Sequence, residues 1–132
     1  MQVEELKALV VAALEEIKAR DIVVLEVTKL TSLFDYMIVA SADSTRQTKA
    51  LARNIHDRIK AAGGSVIGIE GEQTGEWVLV DVGDIVVHIM QPGVREYYNL
   101  EQLWGADAGR RVVPLRRPGD ARAPDSGAQA RT

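Results

Sequence analysis

The fold of this chain is decided by residues 75–90, which read GEWVLVDVGDIVVHIM. Gly83-Asp84 separates two β-branched runs, and a two-residue loop of this kind is typical of a β-hairpin. Pairing across the loop sets Val82 opposite Ile85, and every second residue outward then lies on the same face. That face is purely aliphatic and consists of Val78, Val80, Val82, Ile85, Val87 and Ile89. The pattern predicts that this side of the hairpin belongs to a hydrophobic core.

The opposite face of the hairpin mixes large apolar groups with a carboxylate and an imidazole. Its members are Trp77, Leu79, Asp81, Val86, His88 and Met90. A half-exposed apolar face of this kind is typical of a partner site. The alternative is that the C-terminal helix folds back and covers it through Tyr98, Leu103 and Trp104. Both can hold in part, and we expect Trp104 to cover one end while Trp77 and Met90 remain accessible.

Periodicity predicts the elements around the hairpin. Apolar residues recur at helical spacing over 3–20, and short β-branched runs follow at 22–27 and 35–42. Ser44 and Gln47 match a capping box that begins a helix, and Gly63-Gly64 ends it. A strand at 65–71 would complete a β-α-β unit over 35–71 with parallel strands and a right-handed crossover. One short helix, or two helical turns, is expected over 94–104.

These elements define an α/β fold with a mixed sheet of about five strands and flanking helices, in the order α-β-β-α-β-β-β-α. The composition changes after Trp104, where apolar periodicity ends and three of the four prolines occur. Such a segment cannot bury enough apolar surface to offset its ordering entropy. We therefore expect a folded domain over 1–107 and a disordered tail, rich in Arg, Pro and Gly, over 108–132.

Charge is distributed unevenly along the 132 residues. Residues 1–104 hold 10 Lys+Arg and 16 Asp+Glu, a net charge of −6, whereas residues 105–132 hold six Arg and three Asp, a net of +3. An acidic body repels nucleic-acid phosphates and favours a basic protein as partner. The chain has no cysteine, which excludes disulfides and thiolate metal sites. No apolar run approaches the roughly 20 residues that span a bilayer, so we expect a cytoplasmic protein without a membrane partner.

Enzymatic alternatives rest on a few residues. Asp81 and Asp84 could hold Mg²⁺ for nucleotidyl transfer beside the turn at Ser44. However, Asp84 is a favoured turn residue, and the hairpin register points Asp81 away from it. His88 lacks a neighbouring nucleophile in the sequence, so a half-buried structural role is favoured. We expect no catalytic residue, no metal and no cofactor, and keep a nucleotidyltransferase-related enzyme as the alternative.

Three runs closely resemble the ribosomal silencing factor family, also called Iojap-like proteins. They are DYMIVASADSTRQTKALA (35–52), GIEGEQTGEWVLVDVGDIVVHIM (68–90) and REYYNLEQLW (95–104), within a collinear match over about 3–104. The resemblance implies a fold related to nucleotidyltransferases. This chain, however, has Ala42-Asp43-Ser44 at the turn where those enzymes need Gly-Ser, and it contains no Asp-x-Asp pair. The fold alone does not imply the activity.

The resemblance also implies a function without catalysis. Family members bind the fourteenth protein of the large ribosomal subunit on the surface that faces the small subunit, which prevents subunit joining and represses translation. They can also form homodimers. By analogy, the docking face is expected to comprise Trp77, Leu79, Asp81, His88 and Met90, with Arg95, Glu96 and Tyr97 at its edge. The arginine-rich tail could add a weak contact with ribosomal RNA.

Overall fold

The computed structural model describes residues 1–105 and 109–112. Its elements follow the order α1 (Val3–Glu16), β1 (Arg20–Glu26), β2 (Tyr36–Ser41), α2 (Thr45–Ala61), β3 (Gly68–Glu70), β4 (Trp77–Asp81), β5 (Ile85–Met90), α3 (Pro92–Tyr98), α4 (Leu100–Gly105) and β6 (Gly109–Val112). Within the described residues the sheet has six strands in the order β3-β4-β5-β2-β1-β6. Neighbours pair antiparallel except β2 and β5, which are parallel. The mixed sheet confirms the predicted α/β class.

The β4–β5 hairpin has the predicted register. The Val82 amide donates to the carbonyl of Ile85 at 3.0 Å, and Val80 lies opposite Val87. Gly83 takes a φ of +99°, the conformation that a type II′ turn requires at its first central position. The turn therefore fixes which side chains lie on each face of the hairpin.

The aliphatic face of the hairpin belongs to the hydrophobic core, as predicted, and it packs under α1 and α2. All six of its residues are buried, at 6% exposure or less. The helices meet this face with one apolar stripe each: Leu6, Val10, Ala13 and Leu14 from α1, and Leu51, Ala52, Ile55 and Ile59 from α2. None of the helices in the part of the chain that the structure describes is long and apolar enough to cross a membrane.

The first helix ends earlier than its apolar pattern predicted. It stops at Glu16 rather than at residue 20, because Lys18 takes a left-handed φ of 64°. The Lys18 amide donates to the carbonyl of Glu15, and the chain enters β1 at Arg20. Residues 17–19 of the predicted helix thus form the turn into the sheet, and residue 20 begins β1.

The predicted capping box at the start of α2 is only half present. The Ser44 hydroxyl accepts from the amide of Gln47 at 3.1 Å. The Gln47 side-chain oxygen, however, accepts from the amide of Asp43 at 2.8 Å, not from that of Ser44. Its Nε2 donates to the carbonyls of Ile17 and Lys18 at 3.0 and 3.1 Å. Gln47 therefore links the start of α2 to the end of α1.

Strands β2 and β3 run in the same direction, as the β-α-β pattern predicted, but they are not neighbours. The neighbour of β2 is β5, which pairs with it over six residues from Tyr36 opposite Ile85 to Ser41 opposite Met90. The hairpin therefore stands between the two strands that α2 connects. The third strand is also shorter than the predicted 65–71 and covers Gly68–Glu70.

The C-terminal part agrees with one of the two expected arrangements, two short helical segments, and differs from the expectation after them. Asn99 takes a left-handed φ of 49° and divides the last helical segment into α3 and α4. Residues 109–112, expected in a disordered tail, instead form β6, which pairs antiparallel with β1. The rest of the predicted tail, residues 108 and 113–132, lies outside the described residues, and the domain boundary there stays a prediction.

We predict that Gly71→Ala lowers the free energy of unfolding by about 2 kcal/mol or more, measured by urea denaturation. Gly71 has a φ of +89°, and an added Cβ would lie 2.1 Å from the carbonyl oxygen of Trp77. Gly68→Ala is the matched control, since a Cβ there meets nothing within 4 Å. Equal stability of the two variants would contradict the close approach.

Candidate functional site

The second face of the sheet carries its own buried cluster. Val23, Leu25, Val27, Met37, Val39 and Met90 form it, and Phe34, Trp77, Val94, Leu100 and Trp104 pack against it. Met90 is fully buried, so the expectation that it stays accessible is wrong. The reason is its central position: it lies opposite Trp77 on one side and Ser41 on the other, beneath α3 and α4.

Arg95 holds the two C-terminal helices on this face. Its side chain is buried and forms a bidentate pair with Glu101 of α4, both N–O distances being 2.9 Å. Its Nη1 donates to the Ser41 hydroxyl at the end of β2 at 2.7 Å. One guanidinium therefore joins α3, α4 and the sheet. The sequence predicted that Arg95 lies at an exposed edge of the docking face. Its side chain is instead buried between α3, α4 and the sheet.

The break at Asn99 makes this pairing possible. On one continuous helix, residues six apart point in directions that differ by about 120°, so Arg95 and Glu101 could not meet. The left-handed Asn99 turns α4 against α3 and brings the carboxylate back to the guanidinium. Arg95 and Glu101 are six residues apart in the sequence, which is not a spacing at which helical residues pair. The sequence therefore does not predict this ion pair.

His88 is buried beside Trp77 and serves as a hydrogen-bond acceptor. The Trp77 indole Nε1–H donates to His88 Nδ1 at 3.0 Å, and the two ring centroids are 5.9 Å apart. Burial lowers the pKa of His88 to about 4. A proton on Nδ1 would also remove the acceptor. His88 is therefore a neutral support for Trp77, in agreement with the structural role favoured above.

Three aromatic rings form an exposed group next to the hairpin, which we call the aromatic surface: Trp77, Tyr97 and Tyr98. The Trp77 and Tyr98 centroids are 4.8 Å apart, and those of Tyr98 and Tyr97 are 4.9 Å apart in an edge-to-face arrangement. Trp77 is half-buried, whereas Tyr98 is 52% and Tyr97 81% exposed. The rings pack against one another, and the two tyrosines still expose much of their surface to water.

The predicted docking residues divide into two groups. Leu79 and Asp81 are half-buried on the same sheet face as Trp77, and Glu96 and Tyr97 are exposed on α3. His88 and Met90 lie beside them on β5, opposite Leu79 and Trp77, and both are buried, as is Arg95 of α3. The first group can reach a partner directly, whereas the second supports it by packing.

The aromatic surface includes a residue that sequence reasoning treated only as cover. In the alternative described above, Tyr98 helps to cover the face; its ring packs against that of Trp77 yet stays half exposed. The same alternative has Leu103 covering the face, but its side chain is 73% exposed. Trp104 does cover one end, partly buried with its ring 5.9 Å from that of Phe34. Trp77 and Tyr97 were already among the predicted docking residues, and for Tyr98 its place next to Tyr97 in YYNL was the only sequence signal.

The two aspartates of the enzymatic alternative do not converge. Asp81 Oδ1 accepts from the amide of Gly83 at 3.0 Å, so the carboxylate stabilises the turn. The Asp84 carbonyl accepts from the amides of Asp35 and Tyr36, which joins the hairpin turn to the start of β2. Among the described residues there is no group of three or more His, Asp or Glu side chains that could hold a metal ion.

Comparison with known proteins agrees with the α/β architecture and its hairpin. The family model described as "Ribosomal silencing factor during starvation" matches residues 1–132. A Chromobacterium violaceum ribosomal silencing factor is 50% identical over 121 residues, covering 92% of this chain and 99% of that protein. One from Bacillus subtilis is 40% identical over 94 residues, covering 71% and 80%. The chain therefore belongs to the ribosomal silencing factor family.

Solved structures give the same fold. A crystal structure of a Chromobacterium violaceum protein superposes with a TM-score of 0.78 at 46% identity, covering 98% of this chain and 97% of that one. A Bacillus halodurans crystal structure gives a TM-score of 0.70 at 34% identity, covering 76% and 94%. Both identities are high enough for the likeness to extend beyond a shared fold class.

We predict that Arg95→Met destabilises the protein by about 3 kcal/mol, because it leaves the buried Glu101 carboxylate without its guanidinium. The double variant Arg95→Met/Glu101→Leu should be more stable than Arg95→Met alone, since neither charge is then buried. Chemical denaturation followed by tryptophan fluorescence measures both. If the double variant is no more stable than the single one, the pair does not hold the helices as described.

We predict that acid weakens the fold through His88. Its folded pKa of about 4 lies below the usual value of 6.5, so the unfolded chain takes up the proton first. The contribution of neutral His88 to the free energy of unfolding is then fully present above pH 6.5. It falls by about 3 kcal/mol as the pH drops to 4. His88→Asn, which can still accept from Trp77, should lose less over the same range. Urea denaturation at several pH values compares the two proteins, and parallel profiles would contradict the assignment.

Proposed function

We propose that this protein represses translation by binding the fourteenth protein of the large ribosomal subunit and sterically blocking association of the two subunits. The observation that carries this proposal is the aromatic surface, whose tyrosines are 52% and 81% exposed next to exposed carboxylates. Large exposed aromatic groups of this kind are typical of protein interfaces. The family to which the chain belongs is named for silencing ribosomes.

The aromatic surface is well suited to bind a partner strongly. Tyr98 is held between Trp77 and Tyr97, and Trp77 is held in turn by His88. These contacts restrict the rings before a partner arrives, so little rotamer entropy remains to be lost on binding. Tyr and Trp side chains are also enriched among the residues that dominate binding energy.

Charge around the aromatic surface favours a basic partner. Glu70 and Glu96 are exposed, and Asp81 is half-buried on the same sheet face as Trp77. The net charge of residues 1–104 is −6, from 10 basic and 16 acidic residues. Lysines and arginines of a ribosomal protein would meet carboxylates at the rim and ring faces at the centre.

The relatives support a partner on the large subunit. A mouse relative that is 34% identical over 99 residues is named "Mitochondrial assembly of ribosomal large subunit protein 1"; the match covers 73% of this chain and 43% of that protein. The proposed contact set is Trp77, Leu79, Asp81, Glu96 and Tyr97, with Tyr98 and Leu103 added. His88, Met90 and Arg95 contribute indirectly, by fixing Trp77, the sheet and α3.

The action is proposed to be steric and to need no catalysis or cofactor. The Asp81 carboxylate is engaged by the Gly83 amide, and the sequence has no Asp-x-Asp pair for two metals. We place this action in the cytoplasm, where ribosomal subunits associate. The aromatic surface could also bind a second copy of the chain. In that case homodimer formation and ribosome binding would compete for this surface. The arginine-rich tail is proposed to add a weak contact with ribosomal RNA.

We predict that Tyr97→Ala weakens binding to isolated large subunits about tenfold or more, because it removes an exposed aromatic contact. Since Tyr97 is 81% exposed, the fold should be unaffected. Co-sedimentation measures the affinity, and light scattering of mixed subunits measures their association. Ile67→Ala is the matched control, as Ile67 is 70% exposed but lies outside the aromatic surface. Wild-type repression by Tyr97→Ala would place the docking site elsewhere.

A further inference from the structure

The outer face of α2 carries an unusual concentration of positive charge for an acidic domain. Arg46, Lys49, Arg53 and Lys60 are all exposed on this helix. At 100° per residue, all four point within about 60° of one another, and they span roughly 21 Å along the axis. They form one stripe, which we call the α2 basic stripe. It lies on the opposite side of the sheet from the aromatic surface.

The cations of the α2 basic stripe have no carboxylate partner among the described residues. Four other basic side chains of the domain do: Arg20 pairs with Asp43, Arg58 with Glu16, Arg95 with Glu101 and Lys7 with Glu4. The one acidic residue of α2 is Asp57, whose Oδ1 lies 3.3 Å from His56 Nδ1. The positive charge of the stripe is therefore available to an external anion.

The helix that carries the stripe is held rigidly. Its inner face is buried through Leu51, Ile55 and Ile59, which are fully inaccessible to solvent. The Thr48 hydroxyl donates to the carbonyl of Gly75 at 2.6 Å, and Gln47 fixes the first turn to α1. The spacing of the cations along the axis is thus set before any ligand binds, which lowers the entropic cost of binding.

We propose that the α2 basic stripe binds the phosphate backbone of RNA. A row of cations along about 20 Å of helix suits a ligand with a row of negative charges, and a polyphosphate strand is such a ligand. An acidic protein is the other class that the charge would fit. RNA is favoured because the chain belongs to a family named for action on ribosomes, whose surfaces offer RNA phosphate and basic protein.

The acidic charge of the rest of the domain shapes this interaction. With a net charge of −6 over residues 1–104, the body repels RNA at long range, and only the stripe attracts it. Binding is therefore local, free of base specificity and sensitive to salt. It orients the domain on a ribosomal surface and leaves the aromatic surface, on the other side of the sheet, to supply specificity.

The test compares two double variants of the full chain that lose the same charge. Lys49→Gln/Arg53→Gln removes two cations from the stripe, and glutamine keeps the helical propensity. Lys18→Gln/Lys29→Gln removes two exposed, unpaired lysines elsewhere and is the control. The probe is a fluorescently labelled RNA duplex of 16 base pairs. Its binding is measured by fluorescence anisotropy from low to moderate salt. The tail is present in both variants, so its contribution cancels.

We expect the stripe variant to bind the duplex about tenfold more weakly at low salt, with a salt slope smaller by about 1.8 for two lost phosphate contacts. The control should change affinity by less than about threefold through net charge alone. Equal weakening of both variants would overturn the proposal, as would a wild-type protein that does not bind the duplex at low salt. A polyglutamate peptide that binds as tightly as the duplex would assign the stripe to an acidic protein instead.

Discussion

The turn at Gly83-Asp84 is the constraint on which the rest of the structure depends. Because it contains two residues, it sets Val80 opposite Val87 and leaves no freedom in the pairing of β4 with β5. A shift of one residue would move the aliphatic face to solvent and the Trp77 face into the core under α1 and α2. In the same turn the Asp84 carbonyl accepts hydrogen bonds from the amides of Asp35 and Tyr36. The turn therefore also sets the register of β2 against β5.

The two faces of the sheet have different roles as a result. One is sealed by α1 and α2, whose apolar stripes match an aliphatic surface. The other is only partly covered by the short helices α3 and α4, which are held down by the pairing of Arg95 with Glu101. Incomplete cover leaves Trp77 half-buried and its tyrosine neighbours exposed. A single domain thereby presents an aromatic surface on one side and a cationic helix on the other, which suits a factor that binds a large ribonucleoprotein.

Much of the candidate site could be anticipated from local pattern, and the failures have a common physical cause. Trp77, Leu79 and Asp81 were assigned to one face because strand periodicity is strict. Met90 follows the same rule yet is fully buried, since its exposure depends on what packs over it rather than on its own strand. Leu103 was expected to pack inward, but the left-handed Asn99 rotates α4 and leaves that side chain in solvent.

The sequence by itself determined the hairpin register, the apolar stripes of the first two helices and the α/β class, because each depends on residues close together in the chain. It also determined membership of the ribosomal silencing factor family. Only the tertiary structure decided that β5 lies between β4 and β2, that residues 109–112 add a strand beside β1, and that Arg95 is buried. These outcomes depend on contacts between segments distant in sequence, and local propensity carries no information about such contacts.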